Sequence, residues 1–194
     1  GGIAEAERRP VAVPPELSGG MRQRVMIAMA MALEPRIIFA DEPTTALDVT
    51  VQAQVLDLLK SLQKDTGRAL VIISHDLGVV ASVADTVVVL YAGTVMERGP
   101  AREVCRTPAN PYSRGLLHSI PSARQKLPRL TPIRGAPASL SNRPSGCPFR
   151  TRCDLAQEIC AAQRPPEVTI APGRVSRCHF AQDVFAEGFS RTAA

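Results

Sequence analysis

The sequence predicts an α/β fold in which helices cover a mainly parallel sheet. Two short apolar runs, at 37–40 and 69–73, have the length and composition of buried strands. Two longer segments, at 21–33 and 51–62, carry apolar residues at helical spacing. Strands that alternate with helices in this way favour parallel pairing, because a crossover helix carries the chain back to the start of the next strand.

Capping and turn residues set the predicted boundaries of these elements. Ser18 is placed to cap the first helix, and the second helix is expected to end near Gly67. Further along, the segments 86–90 and 94–98 flank the dipeptide Ala92-Gly93 and predict a hairpin. The longest apolar runs are far shorter than the roughly 20 residues that a membrane-spanning helix needs.

Three chemically useful side chains come directly after the two predicted strands. Asp41 and Glu42 follow the first strand, and His75 follows the second and precedes a short helix. The carboxyl ends of parallel strands meet at one edge of a sheet, so these side chains are expected to converge. The first carboxylate can hold Mg²⁺ through water, and the second can reach a water that attacks a γ-phosphate. Taken singly, strand-end charges and a lone histidine also fit purely structural roles.

The tetrapeptide Leu17-Ser18-Gly19-Gly20 leads into the first helix. A hydroxyl, two unobstructed backbone N–H groups and a helix N-terminus together make a ready anion site. The same Ser-Gly-Gly sequence is also common where the chain merely turns.

Three segments of the sequence, taken together and in order, are more specific than any one motif. LSGGMRQRVMIAMA, then IIFADEPTTALD, then VIISHD together closely resemble the ABC ATPase family, over about residues 14–100. The resemblance implies that Ser18, Gly19 and Gly20 form the signature motif. In the family this motif binds the γ-phosphate of an ATP that the opposite subunit of a dimer holds.

The same resemblance assigns the residues at the strand ends. It implies that Asp41 is the Walker B residue for magnesium, Glu42 the general base and His75 the switch histidine. Residues 45–48, ending in Asp48, resemble the D-loop at the dimer interface, so Asp48 joins the nucleotide-binding set. The longer string from LSGGM to DVTVQAQ is similar to the dipeptide and oligopeptide importer branch. Residues 1–100 are therefore expected to form the C-terminal part of an ABC ATPase domain of the P-loop type.

Residues 101–194 are expected to form an irregular C-terminal extension. Nine of the 17 prolines lie between residues 100 and 148, and ten Arg or Lys residues stand against one acid, Glu103, between 102 and 152. The basic stretch suits nucleic acid, anionic lipid or an acidic partner, or it is a solvated linker. The segment Asn110-Pro111-Tyr112 and the following RGLL resemble the extension of the peptide-importer ATPases, which often read His-Pro-Tyr.

Four cysteines of the extension point to a metal site. Cys147, Cys153, Cys160 and Cys178 lie within 32 residues, whereas Cys105 stands apart. Their spacing is not that of a paired zinc ribbon, and thiolates suit zinc and iron–sulfur clusters alike. The peptide-importer resemblance implies a [4Fe-4S] cluster, with zinc or free buried thiols as the alternatives. His179, directly after Cys178, is a candidate to donate a hydrogen bond to a metal-bound cysteine.

No Gly-x-x-x-x-Gly-Lys-Ser/Thr pattern occurs in the 194 residues. The ABC ATPase family places this Walker A loop upstream of the signature. We therefore expect an N-terminally truncated chain that is inactive alone.

The resemblance implies an ATP-binding and ATP-hydrolysing subunit of an ABC importer of di- or oligopeptides, using ATP and Mg²⁺. Its expected partners are a second ABC ATPase subunit, transmembrane permease subunits and, indirectly, an extracytoplasmic substrate-binding protein. The expected location is peripheral, on the cytoplasmic face of the inner membrane. Aromatic residues make up 4% of the chain and Trp is absent, so nucleic acid is not an expected partner. The alternatives are a non-transport ABC ATPase acting on nucleic acid or the ribosome, and a non-catalytic iron–sulfur regulatory module.

Overall fold

A computed structural model of the chain describes residues 18–120 and 132–189. The chain divides into two compact units, Gly1–Asp76 and Leu77–Ala194. The domain boundary predicted after residue 100 falls within the second unit, where a strand meets a helix, and it stays a prediction. Within the described ranges, no helix combines the length and the apolar character that crossing a membrane requires.

The first unit consists of a helix followed by a strand–helix–strand crossover. Its elements are α1 (Gly19–Met31), β1 (Ile37–Asp41), α2 (Val49–Thr66) and β2 (Ala69–Ile73). The two strands pair in parallel, in a register that runs from Ile37 opposite Ala69 to Asp41 opposite Ile73. The predicted helices, strands and parallel pairing of this unit are confirmed.

Side-chain caps explain where the two helices of the first unit begin. The Ser18 hydroxyl accepts a hydrogen bond from the Met21 N–H at 3.3 Å, as the capping prediction requires. The Asp48 carboxylate accepts one from the Val51 N–H at 2.9 Å and caps α2 in the same way. Each cap satisfies an N–H group that has no partner inside its helix.

One face of the β1–β2 sheet is open. Ile37, Phe39, Val71 and Ile73 are all exposed, and Phe39 keeps 69% of its surface accessible. Exposed and half-buried residues alternate along both strands. The prediction that both strands are fully buried is therefore wrong for the described residues, although the apolar composition of both faces is what suggested it.

The second unit is built on an antiparallel sheet. Its strands are β3 (Thr86–Tyr91), β4 (Thr94–Pro100), β5 (Glu167–Ala171) and β6 (Arg174–Arg177), in the spatial order β3-β4-β6-β5. The parallel pairing expected of strands that alternate with helices does not extend to this sheet, in which the β3–β4 hairpin is predicted from the sequence and the β5–β6 hairpin is not. Two-residue turns join β3 to β4 and β5 to β6, and such short connections can link only antiparallel strands. The β3–β4 hairpin matches its prediction, and both of its turn residues, Ala92 and Gly93, have positive φ.

The predicted irregular extension is regular over much of its described part. Besides α3 (Leu77–Val83), the second unit contains α4 (Ala101–Arg106), α5 (Pro111–His118), α6 (Glu158–Ala162), α7 (Ala181–Ala186) and a 3₁₀ turn (Arg150–Arg152). The prolines that suggested irregularity partly mark helix starts. Pro111 opens α5 directly after Asn110, whose side chain accepts from the Tyr112 N–H at 3.0 Å.

Two apolar clusters form the described core of the second unit. One consists of aliphatic residues from α3, β3 and α4, including Val80, Val87 and Val104. The other is aromatic: Tyr91, Tyr112 and Phe149 lie with ring centroids 4.8–5.3 Å apart. Such tilted and edge-on contacts stabilise beyond area burial alone. The second cluster ties the β3–β4 hairpin to the cysteine-bearing segment.

A buried ion pair joins β4 to β6. The Arg174 guanidinium donates to Glu97 Oε1 at 3.1 Å, and the two side chains are 2% and 0% exposed. Arg174 also donates to the Thr107 hydroxyl and carbonyl, and Glu97 Oε1 accepts from the Ala109 N–H at 2.9 Å. Burial raises the pKa of Glu97 more than these hydrogen bonds and Arg174 lower it. Removing one partner would leave the other charge buried and unpaired.

We expect Arg174→Ala to lower the free energy of unfolding of this unit by about 3–5 kcal/mol, because Glu97 would lose its counter-charge. Tyrosine fluorescence during urea unfolding measures this, since both tyrosines of the chain lie in the second unit. Arg106→Ala removes an exposed arginine and is the matched control, expected to stay within about 0.5 kcal/mol of the parent. Equal stabilities for the two variants would contradict the role of the pair.

Candidate functional site

The structure brings Glu42 and His75 together at the carboxyl ends of β1 and β2. The Glu42 N–H donates to the Ile73 carbonyl at 2.9 Å, which extends the parallel pairing by one residue. Glu42 Oε1 accepts from the His75 backbone N–H at 3.0 Å and lies 2.8 Å from His75 Nδ1. Of the three side chains expected to converge, the structure joins these two by hydrogen bonds, and their approach follows from the parallel register.

Thr45 completes the hydrogen bonding of the Glu42 carboxylate. Its hydroxyl donates to Glu42 Oε2 at 2.9 Å, so both carboxylate oxygens are engaged. The sequence reading missed this contact, and its only signal was the three-residue spacing within a turn. A carboxylate held on both oxygens is fixed in orientation, which a general base requires.

The charges of Glu42 and His75 stabilise each other. Hydrogen bonds from His75 and then Thr45 lower the pKa of Glu42. The hydrogen bond with Glu42 raises the pKa of the His75 imidazole. The His75 side chain is 81% exposed, so solvent screens the pair, and it orients the groups more than it stabilises the fold.

The loop after β1 holds strained backbone. Glu42 and Ala46 have φ values of 47° and 61°, in the left-handed region that non-glycine residues rarely adopt. The turn is closed by hydrogen bonds from the Thr45 N–H to the Glu42 carbonyl and from the Leu47 N–H to the Thr44 carbonyl. Strain of this kind persists where the surroundings over-determine it, and it concentrates at functional sites.

The remaining residues predicted to contact nucleotide or Mg²⁺ occupy identifiable positions. Asp41 is the exposed last residue of β1, next to Glu42. Asp48 caps α2 and Ser18 caps α1, so both have structural roles in this chain. A side chain on Gly20 would collide with Val51 Cγ1 at 2.5 Å, so the glycine allows the start of α1 to approach α2. The proposed roles of these residues in binding stay predictions.

The four predicted cysteines of the extension line one small cavity in the second unit, together with Phe149 and His179. The Cys147 N–H donates to the Cys160 carbonyl at 2.8 Å. Gly146 permits that contact, because its φ is 64° and a Cβ there would lie 2.3 Å from the Cys160 carbonyl oxygen. Cys105 lies outside this lining. The long-range fold therefore gathers these four thiols although their spacing in the sequence is irregular.

The four sulfur donors of this cavity suit a thiolate-bound metal group. The cavity itself, however, is small. None of the five cysteines forms a disulfide. Burial raises the pKa of Cys147, of Cys153 to about 11 and of Cys178 to about 12, so these thiols are protonated at neutral pH. The cavity volume is about 20 Å³, and in the described residues no three His, Cys, Asp or Glu side chains are arranged to hold a metal ion. A bound group would have to displace protons and widen the space.

Asn110 is a polar centre of the second unit that sequence reasoning treated only as a departure from His. It is fully buried, and its side-chain amide donates to the Met96 carbonyl at 3.0 Å and the Arg177 carbonyl at 3.1 Å. An asparagine before Pro-Tyr signals a helix cap, and the cap is present. The contact with Met96 spans 14 positions of the chain, and the contact with Arg177 spans 67. Neither contact therefore had a local signal in the sequence.

Comparison with known proteins finds two families that match separate parts of this chain. A family described as "ABC transporter" matches residues 2–45. A family described as "Oligopeptide/dipeptide transporter, C-terminal region" matches residues 96–160. The chain is therefore related to the ATP-binding proteins of ABC transporters, as the motifs indicated.

Within that class, the relatives named for peptide transport stand out. A protein of Brucella ovis named as a peptide import ATP-binding protein is 47% identical over 191 residues, covering 95% of this chain and 56% of its own length. The oligopeptide transport ATP-binding protein OppD of Salmonella typhimurium is 50% identical over 176 residues, covering 91% of this chain and 52% of its own. The chain is thus similar to peptide-transport ATP-binding proteins and spans about half the length of these relatives.

Among solved structures, the ATP-binding cassette MJ0796 bound to ADP and Pi is similar. It is 39% identical and covers 46% of this chain and 38% of its own, with a TM-score of 0.42.

We expect Glu42→Gln to lower the pKa of His75, because the neutral amide no longer favours the imidazolium. In the parent, the charged pair is present below the raised pKa of His75 and is lost as the pH rises through it. Titration of the imidazole signals by NMR measures the change, with His118 and His179 as internal references. An unchanged His75 pKa in the variant would show that the 2.8 Å contact does not form in solution.

Proposed function

We propose that the protein is the ATP-binding and ATP-hydrolysing subunit of an ABC importer of di- or oligopeptides. The observation that carries this proposal is the Glu42 carboxylate, held by His75 and Thr45 at the end of β1. It stands within the string ADEPTTALD. The peptide-transport names of the relatives support the substrate class.

Glu42 is proposed to act as the general base that polarises the attacking water. Hydrogen bonds from His75 and Thr45 lower its pKa, so the carboxylate is ionised at neutral pH and can accept a hydrogen bond from the attacking water. Asp41, adjacent and exposed, would carry the Mg²⁺ ion, which neutralises charge on the phosphates. At the strained turn after β1, the Glu42 carboxylate contacts the chain just after β2 and stays partly exposed, so water can reach it.

His75 is proposed to position Glu42 and to contact the γ-phosphate. Its Nδ1 faces Glu42, and the ring is largely exposed, so its Nε2 is accessible to a bound phosphate. The raised pKa of His75 favours the imidazolium, which is the better donor to an anion. The pair thus links the attacking water to the group under attack.

Ser18, Gly19 and Gly20 are proposed to complete the ATP site of a second ABC ATPase subunit. They open α1, where N–H groups and the helix dipole favour a phosphate. Asp48 of the D-loop is proposed to lie near the same interface. Transmembrane permease subunits and, indirectly, an extracytoplasmic substrate-binding protein would complete the transporter, with this subunit peripheral on the cytoplasmic face.

The proposed base is tested with Glu42→Gln in protein produced from its complete coding sequence. Removing a general base typically slows catalysis by about 10²–10⁴, so steady-state ATP hydrolysis should fall by that factor while ATP binding persists. Glu103→Gln changes an exposed glutamate of the second unit and is the matched control. Hydrolysis by the Glu42 variant within a few-fold of the control would rule out the assignment.

We further propose that Cys147, Cys153, Cys160 and Cys178 hold a thiolate-bound metal group, a [4Fe-4S] cluster first among the candidates. Support comes from the shared cavity and from a donor set of four sulfurs without a carboxylate. Such a group would cross-link the segment 147–160 to Cys178, which follows β6, and would stabilise the extension. Zinc and free thiols are the competing outcomes.

Anaerobically purified protein is expected to show a broad visible absorption band and to contain iron and acid-labile sulfide. Cys153→Ser should lose the band and the iron, whereas Cys105→Ser, outside the cavity, should retain both. Bound zinc in place of iron would exclude the iron–sulfur cluster and support a thiolate-bound metal site. A colourless protein that contains neither metal would overturn both the cluster and the metal site.

A further inference from the structure

A second cavity of the second unit has no role in the functions proposed above. Its volume is about 320 Å³, and it lies between the turn of the β3–β4 hairpin, the segment 143–148 and the residues that follow α6. This volume is at the lower end of the range for small-molecule sites. The cavity adjoins the cysteine cavity, with which it shares Met96, Pro165 and Arg177.

Three arginines line this cavity. They are Arg143, Arg164 and Arg177, and no acidic residue of the described ranges 18–120 and 132–189 lines it. Arg177 contacts Glu167, which lies outside the lining, at 3.0 Å. In the described part of the chain, Arg143 and Arg164 form no ion pair. Arg143 and Arg164 therefore line a shared cavity without a carboxylate partner in the described residues. Arg177 also lines the cavity, but it has a partner, Glu167, outside the lining.

Local structure sets where the backbone of these arginines lies. The Arg143 guanidinium lies against the hairpin turn, where a Cβ on Gly93 would approach Arg143 Nη2 to 2.6 Å. Arg164 precedes the buried Pro165, which restricts its backbone to extended conformations. Arg177 ends β6, and its carbonyl accepts from Asn110. Arg143 and Arg164 are exposed, so their guanidinium groups are accessible to a ligand from solvent.

We propose that this arginine cavity is a binding site for a phosphate-bearing anion with two or more negative charges. Guanidinium groups match phosphate oxygens in paired hydrogen bonds and stay charged at every physiological pH. A concave site of this size admits a phosphate or pyrophosphate group, whether free or on a lipid headgroup. Thr94, also in the lining, supplies a hydroxyl donor. Occupation would place negative charge beside Arg177 and hence next to Cys178.

The test uses Arg143→Ser/Arg164→Ser in protein produced from its complete coding sequence. Arg102→Ser/Arg106→Ser removes the same charge from exposed positions of α4 and is the matched control. Isothermal titration with inorganic pyrophosphate is performed with saturating Mg-ADP, so that a nucleotide site is already filled. Sedimentation with phosphatidylcholine vesicles, with and without phosphatidylglycerol, is the second arm.

Pyrophosphate is expected to bind the parent and the control alike, and at least about tenfold more weakly to the cavity variant, since each lost bond involves a charged group. Sedimentation that depends on phosphatidylglycerol and is lost only in the cavity variant would instead identify a lipid headgroup as the source of the phosphate. Equal binding by both variants in both arms, or no binding by the parent in either, would overturn the site. Circular dichroism of the variants shows whether each is folded.

Discussion

The buried ion pair between Glu97 and Arg174 is the contact on which the second unit depends. The pair joins positions 77 residues apart and fastens the β5–β6 hairpin to the β3–β4 hairpin. Only two residue pairs connect β4 with β6 in the sheet register, so backbone pairing joins the two hairpins over a short length. Arg174 also holds Thr107 at the end of α4. Transferring both charges from water costs several kcal/mol per ion, and the geometry offsets that cost only while every contact is kept.

Local sequence signals sufficed for most of the first unit. Ser18 and Gly67 mark helix ends by mechanisms that act within one turn, and the parallel register then brings Glu42 to His75. The exposed face of the sheet could not be foreseen, because hydrophobic composition reports what a residue prefers and not which elements are present to cover it. The Thr45 contact depends on a positive φ at Glu42, which no propensity predicts for that residue type.

In the second unit the predictions failed where contacts are distant in the chain. The high proline content suggested irregular structure, yet Pro111 occupies the start of α5, where proline is favoured. Proline is therefore compatible with an irregular segment and with a helix start, and its presence alone does not distinguish the two. The cysteines could be recognised as a group, but their shared cavity requires Gly146 to pack on α6 and β6 to pair with β4. Nothing near Glu97 or Arg174 in the sequence shows that they are partners, since either charge alone reads as a surface residue.

The position of β6 couples the two cavities of this unit. Arg177 ends the strand and lines both cavities, and Cys178 follows it directly with its side chain in the cysteine cavity. The strand is held at one end by Arg174 and at the other by Asn110, whose amide donates to the Arg177 carbonyl and whose carbonyl caps α5. Displacing β6 would therefore move an arginine and a cysteine together. An anion bound in the arginine cavity would therefore lie beside a residue that also lines the cysteine cavity, one position away from a proposed ligand of the metal group.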